Sequence, residues 1–545
     1  MEMKLKNLVY ILLVASVFAV IRCTESNRNK HDIFHANISA GLTSLDPAFS
    51  KDQSTMWADN QIFNGLVQVD EQLNVKPCIA KSWKISEDGL QYEFILRNDV
   101  FFHDHEKFTN GKGRKVTAQD FVYSFGRLID TVVASTGAWL FNDKVNKGNP
   151  FEAINDTTFR INLKSPFHPM LGMLTLQYCS VVPKEIVEFY GKDFRAHPVG
   201  TGPFKLVRWE ENNVLILTKN QNYFETDSLG NKLPYLNGIR FSFIADKTAE
   251  FTQFSQGKLD FLNGLAPEWK DQLLTTTGEL KSEWKDKISF NKIPYLNTEY
   301  LGISMAKQPS EALKNKKVRQ AINYAIDRKK IISYLRNGVG APAESGMIPL
   351  GVPCFDATAV KGYNYDPEKA KKLLIEAGYA NGKGIGTIKI YCNPTYVDLI
   401  TFISNELSSV GITCQIENLP PASLKEFMRK NDVEFFRASW IGDYPDGENY
   451  LAMFYSKNGA PPNYTYFKNE QYDKLYEAAM KETDLSKTCE LYHQMEKIVI
   501  EEAPVVPLYY DEVTRFVHKK VKGLPNNAMN LLILKQCINL KYKVN

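Results

Sequence analysis

The chain has 545 residues, 44% hydrophobic and 23% charged, with 66 basic against 62 acidic residues and a net charge of +4. At roughly 150 residues per domain this length holds several domains, and the composition excludes a disordered, collagenous or coiled-coil chain. The balanced charge excludes the basic excess of a nucleic-acid binder, and a mean hydropathy of −0.31 excludes a multi-span membrane protein.

Lys4 and Lys6 precede an apolar run from Leu8 to Ile21. The run is shorter than the ~20 residues of a membrane span, so residues 1–22 read as a secretory signal. Cys23 follows directly, where a lipoprotein is cut and acylated, although Val20, Ile21 and Arg22 are not the small residues usual there. The adopted reading is lipidation of Cys23 with a tether over 23–33. The alternative is an ordinary signal with Cys23 incidental. Further on, Trp83–Ile85 and Tyr92–Leu96 predict paired strands around an Asp88-Gly89 turn. Thr117 with Asp120 predicts a helix start, followed by a Phe121, Phe125, Leu128 stripe. Phe159, Ile161 and Leu163 alternate with polar residues as a strand. Val318, Ala321, Ile322, Ala325 and Ile326 recur at helical spacing. Asp366-Pro367-Glu368 opens the next helix, with Ala370, Leu373, Leu374 and Ala377 as its buried stripe and Gly378 as its stop. Tyr472 to Ile500 predicts one or two more. Alternating strand and helix signals predict an α/β or α+β chain.

Chemistry-bearing motifs are missing. There is no HExxH helix, no CxxC pair and no P-loop. Gly378 to Gly384 has the wrong spacing for a phosphate loop and reads as a solvated loop. Gly302-Ile-Ser-Met-Ala306 lacks the second glycine of a nucleophile elbow, so Ser304 reads as a strand residue. His103 and His105 would share one side of a strand and could supply half of a metal shell. A structural turn is the preferred reading. Cys78, Cys179, Cys354, Cys392, Cys414, Cys489 and Cys537 are scattered. Some could pair in an oxidising compartment; buried free thiols are preferred. No catalytic residue, metal or cofactor is assigned.

In order along the chain stand Ala80-Lys-Ser-Trp83, Ser86-Glu-Asp-Gly89, Tyr92-Glu-Phe-Ile-Leu-Arg97, Val100-Phe-Phe-His-Asp104 and Val116-Thr-Ala-Gln-Asp-Phe-Val-Tyr-Ser124. Pro198-Val-Gly-Thr-Gly-Pro-Phe204 with Trp209, the block Val318 to Arg328, the block Tyr365 to Leu374, Ser439 to Asp446 and Ala503 to Tyr509 follow. Together they resemble the family 5 extracellular solute-binding proteins, the oligopeptide- and dipeptide-binding components of bacterial ABC importers. The pattern departs at His105, where the family often has a glycine soon after the His-Asp pair. The resemblance implies an α/β, two-lobed periplasmic-binding-protein fold with a hinge and an extra inserted domain. It places lobe I at 34–60, 195–265 and 505–545, the inserted domain at 61–194 and lobe II at 266–504. The lobes would close on ligand, which stabilises the closed state. It implies a monomeric binding protein and not an enzyme, held at the periplasmic side of the cell envelope by a lipid anchor. Its partners would be short peptides and ABC permease subunits, with no cofactor and no nucleic acid.

The resemblance also implies a site. Peptide-binding members hold the ligand as an added strand through main-chain hydrogen bonds. By itself, Asp443-Tyr444-Pro445-Asp446-Gly447 reads as a turn. The resemblance assigns Asp443 to the peptide's α-ammonium, which is mostly charged at pH 7 with a pKa near 8 and makes a charge-assisted hydrogen bond. Ser439 and Ile441 would offer backbone groups, and Trp440 a pocket wall or a core residue. Lys51 and Gln53, assigned by spacing, would meet the other edge of the peptide; an exposed turn is the alternative. Other ligands carried by this fold are nickel chelates, haem, sugars and opines. A peptide-dependent sensor or chaperone would use the same fold. A secreted hydrolase would need a nucleophile–base pair that the sequence does not offer.

Overall fold

The computed structural model describes residues 32–265, 269, 272–275, 277–306 and 310–540. The expected signal segment and Cys23 lie outside the described residues.

Four strands form the first sheet, in the order Ile33–Asn37, Gly238–Ser242, Val214–Lys219 and Phe204–Glu210. The helix Gln53–Ile62 lies against it, started by a capping box: the Asp52 carboxylate accepts the Thr55 N–H at 2.9 Å and the Thr55 hydroxyl accepts the Asp52 N–H at 3.3 Å. The glycines of the Pro198 to Phe204 segment have a steric reason. A Cβ on Gly200 would stand 2.1 Å from the Ile62 carbonyl oxygen, and one on Gly202 2.4 Å from the Ile62 carbonyl carbon. Any side chain there pushes the helix end off the sheet. Gly202→Ala is expected to lower stability by about 2 kcal/mol, read as a fall in the urea midpoint at unchanged slope.

The second sheet has the antiparallel order Ala80–Ile85, Gln91–Leu96, Thr158–Asn162, Phe151–Asn155. The predicted hairpin is there, with Gly89 at φ +68° in its turn. The helix Ala118–Ile129 starts at the predicted Thr117 and Asp120 box and drives Phe121 and Phe125 against Phe159. His103 is a buried strut. Its Nε2 lies 2.9 Å from the Gly202 carbonyl, and its Nδ1 accepts the Gly200 N–H at 3.4 Å. Burial lowers its pKa to about 4, so the ring is neutral at pH 7. His105 turns instead to the Tyr190 hydroxyl at 3.2 Å. No group of three metal-ligating side chains occurs among the described residues.

The largest sheet runs Phe261–Asn263, Val505–His518, Ile288–Ile303, Phe435–Ile441, Thr387–Cys392, Thr413–Asn418, with Ala341–Pro342 added to Val505–His518. The helices Lys316–Ala325, Pro367–Glu376 and Val397–Ser408 share a core with one of its faces through Ala321, Ile322, Leu374 and Ile403. As predicted, Pro367 is the first residue of its helix and Gly378 sits at φ +89° just past its end. Glu470–Lys481 and Leu485–Glu502 are two helices that bury Tyr472, Tyr476, Tyr492 and Met495 in a second core. Ser304 stands one residue past a strand, with its hydroxyl bonded to Asn431.

Two long antiparallel strands, Ile288–Ile303 and Val505–His518, run between two cores. Ile288 and Phe516 pack with Phe251, Phe254 and Leu262, whereas Leu301, Ile303, Val506 and Leu508 belong to the core beneath the helices Lys316–Ala325 and Pro367–Glu376. The change of core falls where their register breaks, between Pro294 and Thr298.

The reading of the cysteines as free thiols is corrected at one pair. Cys354 and Cys489 form a disulfide with Cα atoms 5.0 Å apart, across a sequence separation of 135. Cys78, Cys179, Cys392 and Cys537 are buried free thiols and Cys414 is half-buried. The bond ties the helix Leu485–Glu502 to the turn before Phe355. Cross-linking a loop that long restricts the unfolded chain, so Cys489→Ser is expected to cost about 2–3 kcal/mol, and a reductant should destabilise the native chain but not the variant. No helix among the described residues is long and apolar enough to cross a membrane.

Candidate ligand-binding site

The strand Phe435–Ile441 pairs antiparallel with Ile288–Ile303, setting Ser439 opposite Glu299, Trp440 opposite Thr298 and Ile441 opposite Asn297. On its other edge it meets Thr387–Cys392 only at Phe436 opposite Tyr391. Beyond Phe436, no strand among the described residues pairs that edge. A half-open edge of this kind can accept an extended chain.

Past the strand, the chain turns at Gly442. Its N–H donates to the Leu296 carbonyl at 2.6 Å, and the Tyr450 hydroxyl donates to the same oxygen at 2.8 Å. A Cβ on Gly442 would lie 2.6 Å from that hydroxyl oxygen, so the turn needs glycine for its close approach. Asp443 then donates its N–H to Asn449 Oδ1 at 3.2 Å, the acceptor that also takes the Trp440 indole N–H at 2.9 Å. Behind them, the Tyr444 and Tyr476 hydroxyls both bond Glu448, and Tyr492 donates to Asp446 at 2.7 Å. The turn is thus held from below by its own polar network. The Asp443 side chain is open to cleft solvent but walled on most sides by protein. That desolvation raises its carboxyl above the ordinary range, against a smaller opposing effect from Asn449.

Facing it is a cavity of about 330 Å³. Tyr295, Leu296, Ile441, Gly442 and Asp443 line one side, and Lys51, Asp52, Gln53 and Met56 the other. Trp139, Leu176 and Tyr178 of the segment between residues 61 and 194, with Met529, complete it. Four of the six expected residues, Lys51, Gln53, Ile441 and Asp443, therefore meet at one cavity, with Ile441 51% exposed. Ser439 and Trp440 do not line it. Trp440 packs at the margin of the core that holds Tyr300 and Phe436, and acts as a strut for Asn449. Ser439 is half-buried on the strand before it. The Gln53 amide is engaged with Asn530, donating to its carbonyl at 3.2 Å.

Below Ser439 lies a buried ion pair. Arg437 bonds Glu299 through both carboxylate oxygens, and its guanidinium sits 3.1 Å from the centroid of the Tyr396 ring. Burial pushes the Glu299 carboxyl up while Arg437 pulls it down.

Sequence reasoning missed Met56, Trp139, Tyr178, Tyr295 and Met529 as lining residues, and Asn449 as the anchor of Asp443. Gly137, two residues before Trp139, is required because a Cβ there would come within 2.4 Å of the Tyr178 ring.

Residues 74–462 match the family described as bacterial extracellular solute-binding proteins, family 5 Middle. The glutathione-binding protein GsiB of Shigella flexneri serotype 5b (strain 8401) is 25% identical over 494 residues, covering 89% of this chain and 90% of that protein. The unliganded open form of the periplasmic murein tripeptide-binding protein MppA has the same fold, with a TM-score of 0.81 at 22% identity over 95% of this chain and 99% of that one. The periplasmic binding protein DppA from Helicobacter pylori, in complex with the peptide STSA, gives a TM-score of 0.69 at 26% identity over 93% and 98%.

Proposed function

The chain belongs to the bacterial extracellular solute-binding proteins of family 5, and from that premise we propose that it captures short peptides with a free amino terminus and delivers them to the permease of an ABC importer. It is a binding protein and not an enzyme, as its relatives are. The observation that carries the peptide reading is the meeting of Asp443 and a half-open strand edge with Lys51 and Gln53 across one cavity. The peptide adds alongside Phe435–Ile441 through main-chain hydrogen bonds, and its ammonium rests on Asp443. The main chain is common to all peptides, so this mode gives affinity without fixing the sequence. Lobe closure, with lobe II over roughly 266–504, bends the paired strands Ile288–Ile303 and Val505–His518, whose register shifts between Pro294 and Thr298. Cys23 carries the lipid that keeps the monomer at the membrane beside its permease.

A second reading is glutathione, favoured by the name of the relative that matches over 494 residues. Native mass spectrometry of the purified chain, with sequencing of the released ligand, separates the two. A ladder of short mixed peptides supports the first reading and one tripeptide thiol the second. A metal chelate or a sugar overturns both.

A further inference from the structure

Apart from its charged groups, the Gln53 amide and Gly442, the cavity facing Asp443 is walled by rings, thioethers and aliphatic carbons. Trp139 stacks on Tyr444, the neighbour of Asp443, with ring centroids 6.3 Å apart at 22°. Tyr178 lies against Gly137, with its hydroxyl 3.4 Å from Thr136 Oγ1. Burial raises the pKa of Tyr178, and the charge of Asp443 raises it further, so ring and carboxylate stand within electrostatic reach. Met56, Leu176 and Met529 fill the remaining wall. Among the described lining residues the charged groups are Lys51, Asp52 and Asp443. The Asp52 carboxylate is held by the Thr55 N–H as a helix cap.

An ammonium seated on Asp443 brings the first side chain of a peptide against this wall. Resting on the peptide reading of the site, we infer that the cavity is the recognition pocket for that first side chain and selects large apolar or aromatic residues over acidic ones. A phenyl ring loses water-exposed area against Trp139 and Tyr178 and gains ring contacts. A carboxylate would give up its hydration among these rings and thioethers; with Asp443 paired to the ammonium, the charges left in the lining are Asp52, which repels it, and Lys51, which offsets Asp52. Met56 and Met529 adapt in shape, so the preference is for a class of side chain and not for one residue. The α-carboxylate of glutathione, next to its ammonium, would meet the same loss of hydration.

The test is titration calorimetry of the purified chain at pH 7 with Phe-Ala-Ala, Glu-Ala-Ala and N-acetyl-Phe-Ala-Ala. Phe-Ala-Ala is expected to bind about 30-fold more tightly than Glu-Ala-Ala. Trp139→Ala should narrow that gap to about fivefold or less. Met529→Ala, away from the Tyr444 stack, gives the same readout should Trp139→Ala fail to fold. Two free-amine peptides bound within about threefold of each other by the native chain overturn the selectivity and leave the peptide reading standing. A Trp139→Ala variant that weakens both equally overturns it too, since the ring would then serve only the contact with Tyr444. If N-acetyl-Phe-Ala-Ala binds as well as Phe-Ala-Ala, or no peptide binds, the peptide reading itself fails and the inference falls with it.

Discussion

Asp443→Asn is expected to weaken binding of a free-amine tripeptide by about 3 kcal/mol, roughly 150-fold in Kd, because it removes one partner of a desolvated, hydrogen-bonded charge pair. The substitution keeps the shape of the side chain, and the turn below it rests on the Asp443 N–H and on Asn449, which the change does not touch. The fold should therefore survive. The pH profile is the sharper readout. Surrounding protein raises the Asp443 carboxyl above its ordinary range, so the ionised form that binds an ammonium is lost at a higher pH than for a free carboxylate. Affinity should fall as pH drops through that raised value, and again as pH rises past about 8, where the peptide amine deprotonates. Asp443→Asn should lose the acid limb and keep the alkaline one. The stability of the empty protein moves the other way. A carboxyl whose folded pKa lies above its unfolded value contributes most below the unfolded value, and that contribution is lost as pH rises through the folded value. At pH 7 the empty site therefore holds an unfavourable charge that the ligand relieves. Unliganded Asp443→Asn should melt slightly above the native chain at pH 7. Unchanged peptide affinity in calorimetry would remove Asp443 from the site.

Much of the fold was legible because its signals are local. The Asp88-Gly89 turn, the Thr117 and Asp120 box and the Asp366-Pro367 start are each decided within a few residues, and each lies where predicted. The site was legible only in part. Asp443 sits among turn formers and no local pattern separates a turn aspartate from a ligand; its place came from family order. Trp440 illustrates a second limit. Alternation tells that neighbouring strand residues face opposite ways, but not which face is core when helices cover both sides of a sheet. Trp440 went to the core and Ile441 to the cavity. The remaining wall was out of reach, because Met56, Trp139, Tyr178, Tyr295 and Met529 are distant in sequence and meet only through tertiary packing. The Cys354–Cys489 bond was missed for the same reason: a separation of 135 residues carries no spacing signal.

Arg437→Met is expected to produce the largest loss of stability, about 4 kcal/mol at pH 8, because it strands a buried carboxylate. Glu299 is 1% exposed and both its oxygens are bonded by the Arg437 guanidinium. Methionine fills part of the volume over Tyr396 but supplies no charge. Burial already pushes the Glu299 carboxyl up, and without Arg437 nothing of comparable size opposes it. The folded pKa then lies far above the unfolded one, so the deficit is smallest at acid pH, where Glu299 is protonated in both states, and grows as pH rises towards the folded value. Urea denaturation at pH 5 and pH 8 should show that growth. The double variant Glu299→Leu with Arg437→Met should recover most of the loss, since an apolar pair of similar volume has no desolvation cost. A deficit equal at both pH values would instead assign the loss to packing over Tyr396. The pair's position explains why it matters to function. Arg437, opposite Leu301, lies two residues before Ser439, which pairs opposite Glu299 on the adjacent strand Ile288–Ile303. A slip of one residue would turn Ile441 away from the cavity and carry Asp443 with it. The ion pair opposes that slip, because any other register leaves a charge buried alone. In the double variant, stability should return while peptide affinity recovers less, as the strand that carries the site loses one of the contacts that distinguish its correct register.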